Sequence, residues 1–144
     1  MADDLSKKKI LFLCTGNSCR SQMAEGLLRY VAGDRFEVYS AGSEPAEYIN
    51  PLAVLVMNEI GIDITKQYPK HIKEFTSYKF DYVITLCESA RNACLFFPGT
   101  AQKIHWNLED PAKTIGSETE RLIIFRKIRD LIYEKISEFL KNIP

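Results

Sequence analysis

Apolar and polar positions along the chain follow two periods. The run Ile10-Leu11-Phe12-Leu13 is continuously apolar and ends at Cys14, the pattern of a strand buried on both faces. Beyond a polar loop, Met23, Ala24, Leu27, Leu28 and Val31 recur at helical spacing. The Val31-Ala32-Gly33-Asp34 turn leads into Phe36 to Gly42, whose alternation and β-propensity predict a second strand. Strand, helix and strand within roughly thirty residues form a right-handed crossover, so the sheet is parallel. Pro51 opens a second helix with Leu52, Leu55, Val56 and Ile60 as its apolar face, and Gly61 stops it. Between Asp63 and Ser77 the pattern is broken by Pro69, with Ile72 and Phe75 placed to anchor a short helix.

Phe80 to Cys87 predicts a third strand, again ending on a cysteine. Glu88 to Cys94 is polar and reads as a short helical or mobile segment, closed by Phe96-Phe97-Pro98-Gly99. Lys103 to Trp106 is a brief fourth strand, followed by Asn107 to Pro111. Ser117 and Glu120 form a capping box for a long helix. Its inner side carries Leu122, Ile123, Phe125, Ile128, Leu131, Ile132, Ile136, Phe139 and Leu140. No repeat, linker or low-complexity tract interrupts the pattern. The expected architecture is α/β: one domain over residues 1–144, with a four-stranded parallel sheet and helices on both faces. Sites in such sheets lie at the carboxyl ends of the strands, where Cys14, Cys87 and the Trp106–Asp110 loop fall.

Composition narrows the partners. Nineteen basic side chains balance nineteen acidic ones, so no global field argues for nucleic acid or a membrane surface. Lys7-Lys8-Lys9 reads as a solvated terminal patch, and Met1-Ala2-Asp3-Asp4 lacks the shape of a signal peptide. No apolar run approaches a membrane span, so the expected location is the cytoplasm. Thiols are kept reduced there, and the four cysteines point to redox or nucleophilic chemistry rather than permanent cross-links. His71 and His105 show no metal-ligand spacing, and neither a catalytic metal nor a cofactor is expected.

The chemistry concentrates in Cys14-Thr15-Gly16-Asn17-Ser18-Cys19-Arg20-Ser21. A strand-loop-helix junction aims backbone N–H groups and the positive helix end at one point, which suits an oxyanion. Arg20 adds a bidentate donor, and Cys14 sits under a field expected to lower its pKa. The Cys-x5-Arg-Ser spacing, with Gly16-Asn17 inside, resembles the phosphate loop of low-molecular-weight tyrosine phosphatases and of the arsenate reductases on that fold. By that resemblance Thr15, Gly16, Asn17, Ser18, Cys19, Arg20 and Ser21 bind the oxyanion. Asn17 would brace the loop, Ser21 would donate to the Cys14 thiolate, and Asp110 before Pro111 would be the general acid.

Phosphate and arsenate share a shape, so Cys87 and Cys94 decide the reaction. A phosphatase needs one thiolate and water, whereas reducing arsenate takes the two electrons that a thiol pair supplies. Thr85 to Cys94, with six residues between the cysteines, resembles the redox segment of thioredoxin-coupled arsenate reductases. The resemblance implies a relay in which Cys14 attacks arsenate, Cys87 then takes Cys14, and Cys94 takes Cys87. Thioredoxin would reduce the final disulfide, in a monomer with arsenate as substrate and phosphate or sulfate as analogues. Cys19 has no relay step, and a protective Cys14–Cys19 disulfide is the side state known among phosphatase relatives. Some relatives hold potassium through Asn, Glu, Ser and Asp. Asn17, Glu25 and Ser40 match, but Lys70 stands where the aspartate is expected, so no potassium requirement is predicted. The alternatives are a low-molecular-weight tyrosine phosphatase and a non-enzymatic oxyanion-binding or redox-sensing module. Against the phosphatase, Asp110-Pro111-Ala112-Lys113 lacks the tyrosines that follow this aspartate in many such enzymes.

Overall fold

The computed structural model describes residues 7–94 and 97–143, so the chain start and the Phe96 part of the predicted closing turn lie outside the described residues. The elements are β1 (Lys8–Cys14), α1 (Arg20–Ala32), β2 (Phe36–Gly42), α2 (Pro51–Asn58), β3 (Tyr82–Thr85), α3 (Glu88–Cys94), β4 (Gln102–His105) and α4 (Glu118–Asn142). Single 3-10 turns occupy Ile72–Phe75 and Pro111–Lys113. The strands form one sheet in the order β2-β1-β3-β4, every neighbour parallel.

Strand parity sorts the core into two layers, because successive side chains leave a strand on opposite faces. Phe36, paired with Lys8, and Tyr82, paired with Ile10, share the even-numbered face and both pack on Phe139 of α4. Tyr39 pairs with Leu11 on the odd-numbered face and packs on Phe75, Tyr78 and Phe80. β1 lies between two strands and under both layers, so Ile10 through Leu13 are wholly buried and the run has no polar alternation. Among the described residues no helix is long and apolar enough to cross a membrane.

Local signals set the helix ends. Asn50 Oδ1 accepts from the Leu52 N–H with Pro51 at the first helical position of α2, and Gly61 lies beyond the helix at φ +81°. Ser117 Oγ accepts from the Glu120 N–H while Glu120 accepts from the Ser117 N–H, the predicted box. Some expected positions shift. Leu55 and Ile60 are 43 % and 41 % exposed, and Ala53 and Met57 complete the inner stripe of α2 instead. Val31 and Ile123 likewise face outward. β3 starts at Tyr82, two residues later than expected, because Phe80 turns into the aromatic cluster. It stops at Thr85, although the Leu86 N–H still reaches the Leu13 carbonyl. β4 is Gln102–His105 rather than Lys103–Trp106.

Candidate active site

The loop from Cys14 to Arg20 is held open from outside. The carbonyls of Thr15, Gly16 and Ser18 accept from the N–H groups of Glu44, Ala46 and Asn50. A planar trans peptide points its N–H opposite to its C=O, so the amides of Gly16, Asn17 and Cys19 are turned inward. The Asn17 N–H confirms that direction by donating to Cys14 Sγ at 3.2 Å. Cys19 caps α1 without a side-chain hydrogen bond, and no acidic side chain lies in the first turn, so the helix N-terminus is left to an anion. Gly42 is required beside the loop, since a Cβ there would lie 2.4 Å from the Thr15 carbonyl oxygen.

Cys14 is buried at the end of β1, with Ser21 Oγ 2.8 Å from Sγ. Burial pushes its thiol up, opposed by the Ser21 hydrogen bond, the Arg20 charge and the backbone donors. The expectation of a lowered pKa therefore does not hold: desolvation of the enclosed sulfur outweighs the donors around it. Cys19, also buried, is pushed up to about 12 for the same first reason, with Asp110 and Cys14 adding to it.

Arg20 faces the opposite loop. Its Nη1 donates to the Leu108 carbonyl at 3.0 Å and Nη2 lies 3.6 Å from Asp110 Oδ2. Nε is buried without a partner, a donor held in reserve beside the cradle. Asp110 Oδ1 accepts from the Ala112 N–H, which fixes the carboxylate at the rim. Cys87 lies two residues beyond the end of β3, and its Sγ is 3.4 Å from Thr15 Oγ1, at the lip of the loop. Cys94 ends α3, is buried, and its thiol is pushed up by desolvation against a weaker opposing Lys103 charge. Cys14, Cys87, Arg20 and Asp110 are thus brought together, and Cys94 stands one helix away. All four cysteines are free thiols.

Residues 9–144 match the low molecular weight phosphotyrosine protein phosphatase family. The chain belongs to that family. An arsenate reductase of Oceanobacillus iheyensis is 47 % identical over 138 residues, 96 % of this chain and 99 % of the relative. A solved arsenate reductase in the reduced state superposes with a TM-score of 0.76 at 33 % identity, over 95 % of this chain and 99 % of that one. A thioredoxin-dependent arsenate reductase of Corynebacterium glutamicum gives a TM-score of 0.71 at 31 % identity, over 95 % of this chain and 64 % of that one.

Behind the phosphatase-family loop runs a buried polar network. Asn17, in the left-handed region at φ 50°, donates through Nδ2 to Ser21 Oγ at 2.7 Å and Ser40 Oγ at 3.0 Å. Its Oδ1 accepts from the Lys70 N–H at 2.8 Å. Ser40 donates to Glu25 Oε1, which lies 3.7 Å from Lys70 Nζ, while Arg29 holds Oε2 at 2.6 Å. Lys70 Nζ also donates to the Tyr68 carbonyl at 2.7 Å. The donor set does not fit a potassium ion, because an ammonium already stands among those oxygens. Desolvation holds the Lys70 pKa below its usual value, with Glu25 opposing. Among the described residues no cluster of three or more His, Cys, Asp or Glu groups is placed to hold a metal.

Several contacts were not legible from the motif. The Leu108 carbonyl as partner of Arg20 carries no residue-type signal. Gln22, which donates to the carbonyls of Asn17 and Tyr68, reads in sequence as an ordinary helix position. His105 is brought to Thr85 only by the β3–β4 register.

Proposed function

We propose that this chain is an arsenate reductase that passes a disulfide through Cys14, Cys87 and Cys94 and is regenerated by thioredoxin. The observation that carries the reading is the second thiol at the lip of the oxyanion loop, 3.4 Å from Thr15 Oγ1. A hydrolase has no use for it. The reductase relatives and the family fold support the same assignment.

In this reading arsenate enters the cradle of inward amides, and Arg20 turns its free Nε and its Nη groups onto two anion oxygens. Cys14 gives its thiol proton to a bound arsenate oxygen as Sγ attacks arsenic, and Asp110 protonates the departing hydroxyl, which leaves as water. Ser21 Oγ and the Asn17 N–H hold the sulfur in line. Cys87 Sγ, as thiolate, then attacks Cys14 Sγ. The S–As bond breaks with its electron pair staying on arsenic, which falls from As(V) to As(III) and leaves as arsenite. A Cys14–Cys87 disulfide remains. Cys94 attacks Cys87 Sγ, Cys14 departs as thiolate, and the disulfide becomes Cys87–Cys94. Thioredoxin's dithiol takes up that bond.

The last transfer needs α3 to open. Across the seven residues of the helix the two sulfurs are separated by on the order of 10 Å, beyond disulfide reach. Glu88, Ser89, Arg91 and Asn92 are exposed and yield little on unwinding, whereas Ala90 and Cys94 are buried and tie the helix to the core. Every group in the relay comes from one chain, which favours a monomer. A relay of free thiols belongs in a reducing cytoplasm.

Disulfide mapping by mass after one equivalent of arsenate, without thioredoxin, tests the reading. The intact chain should end with Cys87–Cys94, Cys94→Ser should stop at Cys14–Cys87, and Cys87→Ser should release no arsenite. Hydrolysis of an aryl phosphate with no arsenite from any form would leave only the phosphatase.

A further inference from the structure

Cys94 opens onto a cavity of about 240 Å³ lined by Thr85, Arg91, Lys103, Ile104 and His105. His105 is the uncommitted group in that wall. Its Nδ1 lies 2.7 Å from Thr85 Oγ1, and Thr85 Oγ1 in turn lies 3.4 Å from the Ile104 carbonyl. A hydroxyl that donates to the carbonyl accepts from Nδ1–H, which leaves the other ring nitrogen as a bare acceptor. That nitrogen, Nε2, is buried and makes no hydrogen bond. Glu88 Oε2 stands 3.2 Å from it, placed to receive an imidazolium though not aligned as a hydrogen-bond partner of the neutral ring.

We infer that His105 is the proton acceptor for Cys94 in the second disulfide transfer. Deepening the reductase reading, on which it rests, the assignment supplies the step that relay lacks. Cys94 must lose its proton before it can attack Cys87, and its burial works against that. The thiol proton passes to Nε2 through one water in the cavity that both groups line, the thiolate sulfur forms the bond to Cys87 Sγ, and the Cys87–Cys14 bond breaks with its electrons going to Cys14. The imidazolium is held by Glu88 until the pocket opens to solvent. Glu88, Arg91, Lys103 and Cys94 are the titratable groups facing the ring. Lys103 favours the Cys94 thiolate, and the Glu88 carboxylate, 3.2 Å from Nε2, is placed to pair with the ring once it has taken the proton. Thr85 is a positioning residue, since it fixes which nitrogen is free.

Rapid-quench mapping after one equivalent of arsenate, without thioredoxin, separates the steps. His105→Asn keeps a polar atom near Thr85 and removes the base. It should release arsenite and form Cys14–Cys87 at the unaltered rate, then convert to Cys87–Cys94 about 100-fold more slowly at pH 7. That slow conversion should rise about tenfold per pH unit as free hydroxide takes over the deprotonation, and added imidazole should restore it. Glu88→Gln, which removes the carboxylate 3.2 Å from Nε2, should slow the conversion while leaving arsenite release at the unaltered rate. Conversion at the normal rate in His105→Asn overturns the inference, and so does equal slowing of both steps or a lost rate that imidazole leaves unrestored. Absence of arsenite from the unaltered chain would instead sink the reductase reading itself.

Discussion

Replacing Lys70 with methionine probes why the loop's buttress carries its own cation. Nζ sits 3.7 Å from Glu25 Oε1, and at an effective dielectric of about 20 that separation corresponds to roughly 4 kcal/mol of gross attraction. Desolvation of the ammonium opposes it and is the larger effect on the Lys70 pKa. Arg29 keeps Glu25 Oε2 at 2.6 Å in the variant, so Glu25 is never left wholly unpaired. The net change in stability should therefore be small, about 1 kcal/mol, because the methionine stem refills the space without the desolvation cost. Lysine's lowered pKa means the unfolded chain holds the proton at a pH where the folded chain has released it. Stability gained from this group thus rises with pH between the lowered folded value and the usual 10.5, and the variant should lose that rise.

Function should respond more than stability. With the ammonium gone, Glu25 Oε1, Ser40 Oγ and the Tyr68 carbonyl face one another with no cation between them, and Ser40 is one of the groups that hold Asn17 and hence the loop. Steady-state arsenate reduction by Lys70→Met, coupled to thioredoxin oxidation, should fall about tenfold in sodium buffer, equal to about 1.4 kcal/mol of transition-state stabilisation. Potassium should restore most of it, because the vacated oxygens are hard donors suited to a monovalent ion. The unaltered chain should be indifferent to the choice of cation. Strong potassium stimulation of the unaltered chain would refute the reasoning, as would full activity of the variant in both buffers.

Three further outcomes follow from the geometry. Cys87→Ser should abolish thioredoxin-coupled arsenate turnover yet retain slow aryl phosphate hydrolysis, since the cradle, Cys14 and Asp110 are untouched; equal loss of both activities would break the relay assignment. Gly42→Ala should lower stability by about 1–3 kcal/mol in denaturant titration and weaken phosphate binding, because its Cβ would lie 2.4 Å from the Thr15 carbonyl oxygen. Cys19 is pushed up to about 12, so its contribution is intact below the ordinary thiol value of 9.0 and is lost as pH rises toward 12. Cys19→Ala should accordingly lose less stability between pH 8 and pH 11 than the unaltered chain, and parallel losses would contradict the assignment.

Much of this protein was legible from residue order alone, for a physical reason. The β1–α1–β2 unit is built from short-range rules: an uninterrupted apolar run for a strand buried on both faces, helical spacing after it, and a handed crossover. The oxyanion loop lies within that unit, so Cys14, Gly16, Asn17, Arg20 and Ser21 needed no long-range contact to be recognised. The capping box at Ser117 and the proline start of α2 were equally local.

What only the tertiary structure decided lies between elements far apart in the chain. Which stripe of α2 turns inward depends on where the packing surfaces lie, so Met57 took the place assigned to Leu55 and Ile60. Arg20 meets Leu108 and Asp110 across 88 and 90 residues, and no periodicity specifies that pairing. The Cys14 thiol illustrates the limit most clearly. Its neighbours in sequence all favour the thiolate, yet the closed packing around the sulfur outweighs them, because desolvation is a property of everything that excludes water. Chain order determined which groups could do the chemistry; the packed sheet edge determined their distances, their solvent and their readiness.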